Sequence, residues 1–171
     1  DELNSNPHIS TFRTIFLRPL NDAAVRQWVE DAGLNAPQKE SRDLIRQVTG
    51  YWPMLLIRLA HFCENNFLSD DHTRQFKTEY MDAKDNRQQV FAELGLNILQ
   101  VRPVLELIAN QGGNVATEEM SELFARNALD PSLGQKAVEW ASDLNLLTQN
   151  DMGWALEPVT QSLLELELLE Q

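Results

Sequence analysis

The chain has 171 residues, enough for one or two modest domains, and its 43% apolar residues, with 4 Trp and 7 Phe, exclude a disordered or collagen-like chain. Acidic residues outnumber basic ones by 26 to 14, for a net charge of −12. The longest apolar run, Met54 to Ile57, is far shorter than the roughly 18 residues of a membrane span, so no membrane contact is expected.

Cysteine content and the first residues predict the setting of the chain. One Cys and 3 His exclude an internal disulfide and a structural zinc site, which favours a reducing cytoplasm. The polar start lacks the pattern of a secretory signal, and the first residue is not Met, so we expect a fragment or a processed chain.

The N-terminal stretch predicts one short strand. Thr11 to Leu17 alternates apolar and polar residues before Pro19. A single strand is not stable alone. Residues 1–20 are therefore interpreted as an ordered arm or as the last strand of a sheet whose other strands are missing.

Helical spacing of apolar residues then predicts a bundle over residues 21–85. Asn21 is placed to cap a helix that ends at Gly33, a second helix ends at Gly50, and Pro53 starts the most apolar helix of this half. The residues expected to face the core are Ala24, Val25, Trp28, Val29, Ala32, Leu44, Ile45, Val48, Leu55, Leu56, Leu59, Ala60, Phe62 and Cys63. The linker between the first two helices is placed at residues 35–38.

Two further segments complete the first half. Ser69 is placed to cap a segment that reaches about Met81. Asn86 to Leu99 carries apolar residues at helical spacing and predicts a helix, so residues 86–100 are interpreted as a linker helix between two small domains.

Residues 101–171 predict a winged helix, which is three helices followed by a β-hairpin, here with a closing helix. The predicted elements are Val101 to Ala109, Thr117 to about Asn127, Ser132 to Asn145, a hairpin from Leu146 to Leu156, and Val159 to Leu169. Gly112 and Gly113 end the first helix, and Thr117 is expected to cap the second. The core side of the third helix is expected to contain Leu133, Ala137, Trp140, Ala141 and Leu144. The predicted fold class is therefore mainly α with one small hairpin.

Two short motifs, followed by the winged-helix pattern, resemble the C-terminal half of AAA+-like ATPases of the STAND class, the signal-transduction ATPases that include bacterial regulators. The motifs are Phe16 to Leu20 and Val48 to Leu56. In that class a strand leads through a Leu-x-Pro-Leu-like segment into a helical lid. The resemblance thus implies a helical AAA+-type lid bundle followed by a winged-helix domain, and makes residues 1–20 an N-terminal arm or the last strand of a missing ATPase core.

The resemblance also implies a nucleotide contact. The lid of the class carries a Thr-Gly-Gly-x-Pro element whose proline lies against bound ATP or ADP, and Thr49, Gly50 and Pro53 match it. Tyr51 stands where a second glycine is frequent, and Trp52 and Tyr51 would pack in the core or beside the adenine. A plain structural explanation stays open, because Gly50 can end one helix and Pro53 start the next in any helical hairpin.

The chain lacks the parts that hydrolyse ATP. It contains no Gly-x-x-x-x-Gly-Lys-Ser/Thr loop to hold phosphates and no apolar strand with an acidic end to bind magnesium. No nucleophile elbow or Cys–His arrangement is found either. We therefore expect no catalysis by this fragment and no cofactor bound to it alone, with an upstream P-loop domain making the full-length protein an ATPase that could form oligomers.

Charge argues against DNA as the partner of the winged helix. Residues 98–171 contain three cations and twelve acidic residues, a net charge of −9, and the third helix offers only Lys136 beside Glu139 and Asp143. DNA readers need several Lys or Arg on one face. The leading hypothesis is a relay that passes nucleotide state to a protein effector. The alternatives are a DNA-binding regulator or replication initiator, and a stand-alone interaction scaffold.

Overall fold

The computed structural model describes residues 18–31, 39–63, 68–96 and 98–169. These parts are mainly α-helical, with a small three-stranded antiparallel sheet near the C-terminal end, which confirms the predicted fold class at that level. The predicted strand over residues 11–17, the Gly33 helix end and the linker over residues 35–38 lie outside the described residues.

Five helices and one π-helical segment lie in the described residues of the first half. They are α1 (Asp22–Asp31), α2 (Lys39–Thr49), α3 (Pro53–Cys63), α4 (Asp70–Phe76), the π segment (Lys77–Met81) and α5 (Lys84–Leu94). Two predicted caps are confirmed: Asn21 Oδ1 accepts from the Ala24 N–H at 2.8 Å, and Ser69 Oγ accepts from the His72 N–H at 3.2 Å. Each cap satisfies one of the donors left free at a helix start.

The predicted linker helix is shorter than expected. It ends at Leu94 and not at Leu99, because Gly95 takes the left-handed conformation with φ +78° that stops a helix. Ile98, expected on this helix, instead lies in the turn before the next one, where its N–H donates to the Gly95 carbonyl at 3.2 Å. The helix still buries its predicted apolar face at Val90, Phe91 and Leu94.

The second half alternates short helices and strands. Its elements are α6 (Arg102–Asn110), β1 (Asn114–Val115), a 3-10 turn (Thr117–Glu119), α7 (Met120–Arg126), α8 (Pro131–Asp143), β2 (Leu147–Asn150), β3 (Gly153–Leu156) and α9 (Pro158–Leu168). The predicted hairpin is confirmed, with Asn150 paired to Gly153 across its turn. The sheet order is β1-β3-β2, and β1 was not predicted, since two residues show no alternation pattern.

Two of the four helix starts predicted in this half, at Thr117 and Ser132, are corrected by the structure. Thr117 does not cap α7, because a 3-10 turn that begins after Ala116 precedes that helix and has no side-chain cap. Asp130, and not Ser132, caps α8: its Oδ1 accepts from the Ser132 and Leu133 N–H groups at 2.9 and 3.0 Å. Pro131 is then the first helical residue, a position that needs no N–H donor.

The predicted core face of α8 is partly wrong as well. Leu133 and Trp140 are 61% and 50% exposed, whereas Ala137 and Ala141 are buried as expected. The reason is Gly134, where an added Cβ would lie 2.7 Å from Cε2 of the Phe124 ring. Because α7 approaches α8 so closely at Gly134, the buried face of α8 is centred on this glycine. Leu133 and Trp140 therefore lie toward the solvent.

One hydrophobic cluster extends through both halves, from Val25 on α1 to Leu164 on α9, and α2 packs against α9. Arg102 adds polar links at its edge, since its guanidinium bonds Glu106 on its own helix and Glu167 on α9, both at 2.7 Å. None of the helices described is both long and apolar enough to cross a membrane.

Candidate functional site: the turn between the second and third helices

The five predicted site residues form one tight turn that joins α2 to α3. The Gly50 N–H donates to the Arg46 carbonyl at 2.7 Å and closes α2, and the Trp52 N–H donates to the Thr49 carbonyl at 2.9 Å. Gly50 and Tyr51 both have left-handed backbones, with φ of +56° and +60°. Pro53 begins α3. The turn therefore agrees with the plain structural explanation of the motif, in which Gly50 ends one helix and Pro53 starts the next.

Thr49 stabilises this turn from inside. Its side chain is fully buried, its hydroxyl donates to the Ile45 carbonyl at 2.7 Å, and the same oxygen accepts from the Tyr51 N–H at 3.2 Å. The second bond satisfies a donor that the turn would otherwise leave buried without a partner. The threonine thus serves the turn's backbone, and its hydroxyl is engaged on both sides.

Tyr51 occupies a backbone conformation that favours glycine. A side chain at φ +60° costs about 1 kcal/mol or more, so a glycine would be less strained than Tyr51 at this position. Tyr51 offsets the cost by contacts: its hydroxyl donates to the Arg42 carbonyl at 3.0 Å, and its own carbonyl accepts from the Leu20 N–H at 2.9 Å. Burial, and then the neighbouring Asp22 carboxylate, raise the pKa of Tyr51 to about 12. It is a neutral packing residue.

Glu157, which the sequence analysis did not single out, lies directly against the turn. An added Cβ on Gly50 would overlap its Oε1 and would lie 2.9 Å from Cδ1 of Trp52. The other oxygen, Oε2, caps α9 by accepting from the Thr160 N–H at 2.9 Å and from the Thr160 hydroxyl at 3.2 Å. One carboxylate therefore touches the predicted nucleotide motif and holds the start of the last helix.

Burial controls the charge state of this carboxyl. Glu157 is only 7% exposed, and this burial raises its pKa above the usual value for glutamate, although the hydrogen bonds from Thr160 act in the opposite direction. The sequence does carry a local signal for the cap, an acidic residue before Pro158 at a helix start. It carries none for the contact with Gly50, which exists only in the folded chain.

A surface cleft of about 350 Å³ opens beside this contact. Its walls come from both halves of the chain, and its lining residues are Arg18, Pro19, Arg46, Gly50, Asn145, Thr148, Glu157 and Pro158. Of the predicted site residues, Gly50 lines the cleft, whereas Thr49, Tyr51 and Trp52 are buried inside the turn and Pro53 is half-buried at the helix start. Two arginines at a cleft of this size give it a cationic rim.

Other reactive side chains are dispersed. Within the described parts of the chain, no three His, Cys, Asp or Glu residues come close enough to hold a metal ion. Cys63 is buried, and the burial raises the pKa of its thiol, so it is held in the unreactive protonated form. His72 lies at the start of α4, where its ring is 3.1 Å from the Ser69 hydroxyl.

Comparison of the chain with protein-family models, curated proteins and solved structures finds no match.

Proposed function

We propose that this chain is the helical lid and winged-helix part of a bacterial STAND-type or related AAA+ ATPase that acts in the cytoplasm. On this proposal it is not itself catalytic. It relays the state of ATP or ADP, bound by a P-loop domain on its N-terminal side, to a protein effector. The observation that carries the proposal is the contact between Gly50, in the motif that resembles the nucleotide-contacting element, and Glu157 at the start of α9.

This contact offers a route for the relay. Glu157 Oε1 occupies the space where a side chain at position 50 would begin, so on this proposal a displacement of the turn would shift the carboxylate. The same carboxylate caps α9 through Thr160, and α9 packs against both α2 and α6. A shift in the turn on nucleotide exchange would thus weaken the cap and loosen the last helix from the bundle.

The element order of the second half supports the winged-helix assignment. Three helices, α6 to α8, precede the hairpin β2–β3, and β1 adds a third strand from the connection after α6. The exposed side of α8, which would enter the major groove in a DNA reader, presents Leu133 and Trp140 with Lys136 as its one cation. Protein contact is therefore favoured over the DNA-binding alternative.

The proposal is tested by nucleotide retention in the protein that carries the upstream domain. Pro53→Ala removes ring carbons from the proposed nucleotide contact, and we expect ADP affinity to fall by up to about tenfold, since about 0.8 kcal/mol is lost per buried methylene. Pro131→Ala is the matched control, because Pro131 also begins a helix but lies outside the Gly50 to Pro53 turn. Equal retention in the two variants, or the absence of a P-loop upstream of Asp1, would overturn the proposal.

A further inference from the structure

In the described part of the chain, exposed and half-buried apolar side chains gather along one edge of α8. Ile98, Trp140 and Leu144 line a groove of about 230 Å³, and among the residues that the structure describes Asp143 is its one charged lining residue. Leu133 extends the apolar edge at the other end of the helix and is 61% exposed, and Trp140 itself is 50% exposed. We call the surface formed by Ile98, Leu133, Trp140 and Leu144 the α8 groove.

The spacing of these residues matches a helical partner. Leu133 and Trp140 are two turns apart on one face, and Leu144 follows one turn later, so the apolar edge is about 16 Å long at 1.5 Å per residue. That length equals about three turns of a second helix, whose side chains at every third or fourth position would meet the edge. Exposed tryptophan is also the residue type that most often anchors such interfaces.

The charges around the α8 groove favour a positively charged partner. Asp143 lines it, Glu139 lies one turn before Asp143 on the same helix, and the single cation of α8, Lys136, is outnumbered by the two carboxylates. The chain as a whole carries a charge of −12, so a second copy would be repelled. The face of the Trp140 ring adds attraction for a cation.

We propose that the α8 groove binds an amphipathic α-helix that carries Lys or Arg beside its apolar face. This inference rests on the part of the proposed function that assigns protein contacts to the C-terminal half, and it names the chemistry of the partner. The occupant is a helix with complementary charge, and neither DNA nor a second copy of the chain.

The test uses a fluorescent peptide of about 14 residues, built from leucine and lysine with the leucines on one helical face, titrated with the purified chain. We expect binding that weakens as salt is added, and at least about tenfold weaker binding to the Trp140→Ala variant. Ile57→Ala is the matched control, because Ile57 on α3 is similarly exposed at 52% and lies away from the groove. Asp143→Asn should weaken binding more than Asp85→Asn, an exposed site on α5.

Several outcomes would overturn the inference. They are an absence of binding, equal losses in the Trp140→Ala and Ile57→Ala variants, equal binding of a leucine–glutamate peptide of the same pattern, and a dimer of the chain that Trp140→Ala dissolves. The nucleotide assay separates this inference from the proposed function. If Pro53→Ala lowers nucleotide retention but no peptide binds, only the partner assignment fails; if peptide binds but retention is unchanged, only the nucleotide relay fails.

Discussion

Substitution of Gly50 by alanine tests whether the turn and Glu157 are in contact. The new Cβ would overlap Glu157 Oε1, lie 2.9 Å from Trp52 Cδ1, and stand on a backbone with φ +56°. Gly112 provides a matched control, because its φ of +80° is also left-handed but an added Cβ would meet nothing within 4 Å. The two variants share the backbone strain and differ in the steric overlap.

The expected magnitudes follow from these two contributions. A left-handed alanine costs about 1–2 kcal/mol, which is the whole expected loss for Gly112→Ala. Crowding against the buried Glu157 and Trp52 side chains adds about 1–3 kcal/mol, so Gly50→Ala should lose about 2–5 kcal/mol of unfolding free energy. The difference between the variants measures the overlap with Glu157 and Trp52.

Urea unfolding followed by circular dichroism measures both variants against the unsubstituted chain. The free energy of unfolding falls by about 1–3 kcal/mol per molar urea, so the urea midpoints of Gly50→Ala and Gly112→Ala should differ by at least several tenths molar. A double variant that adds Glu157→Ala should recover part of the Gly50→Ala loss, because the carboxylate is removed from the overlap. If Gly50→Ala and Gly112→Ala lose equal stability, the contact does not exist and the relay argument loses its basis.

Three other measurements check separate features. Burial raises the pKa of Glu157 in the folded chain, so its favourable contribution to the free energy of unfolding is complete below the unfolded pKa and is lost as pH rises through the folded pKa. The urea midpoint of the unsubstituted chain should therefore fall with rising pH relative to that of Glu157→Gln. An opposite trend would refute the burial argument. Cys63 should react with a thiol reagent only on unfolding, so rapid labelling of the native chain would contradict its burial. Residues 98–171 should form no salt-dependent complex with duplex DNA at physiological ionic strength in fluorescence anisotropy; a micromolar or tighter complex would restore the regulator alternative.

Local chemistry explains what could be predicted from the sequence. Asn21 and Ser69 cap helices because a side-chain oxygen reaches the N–H groups two or three residues on, a contact that the neighbouring residues alone decide. The Gly50 and Pro53 pairing predicted a helix end and a helix start for the same reason. The hairpin follows from two apolar runs around an Asp- and Gly-bearing turn.

The tertiary structure decided which faces are buried and which distant residues meet. Helical spacing placed Trp140 in the core, but the close approach of Phe124 to Gly134 rotated α8 so that Trp140 lies at its edge. The contact between Gly50 and Glu157 is likewise beyond any local pattern, because it depends on how the bundle brings the start of α9 onto the turn after α2. Burial and long-range contact are properties of packed pairs of elements, so a pattern within one element cannot specify them.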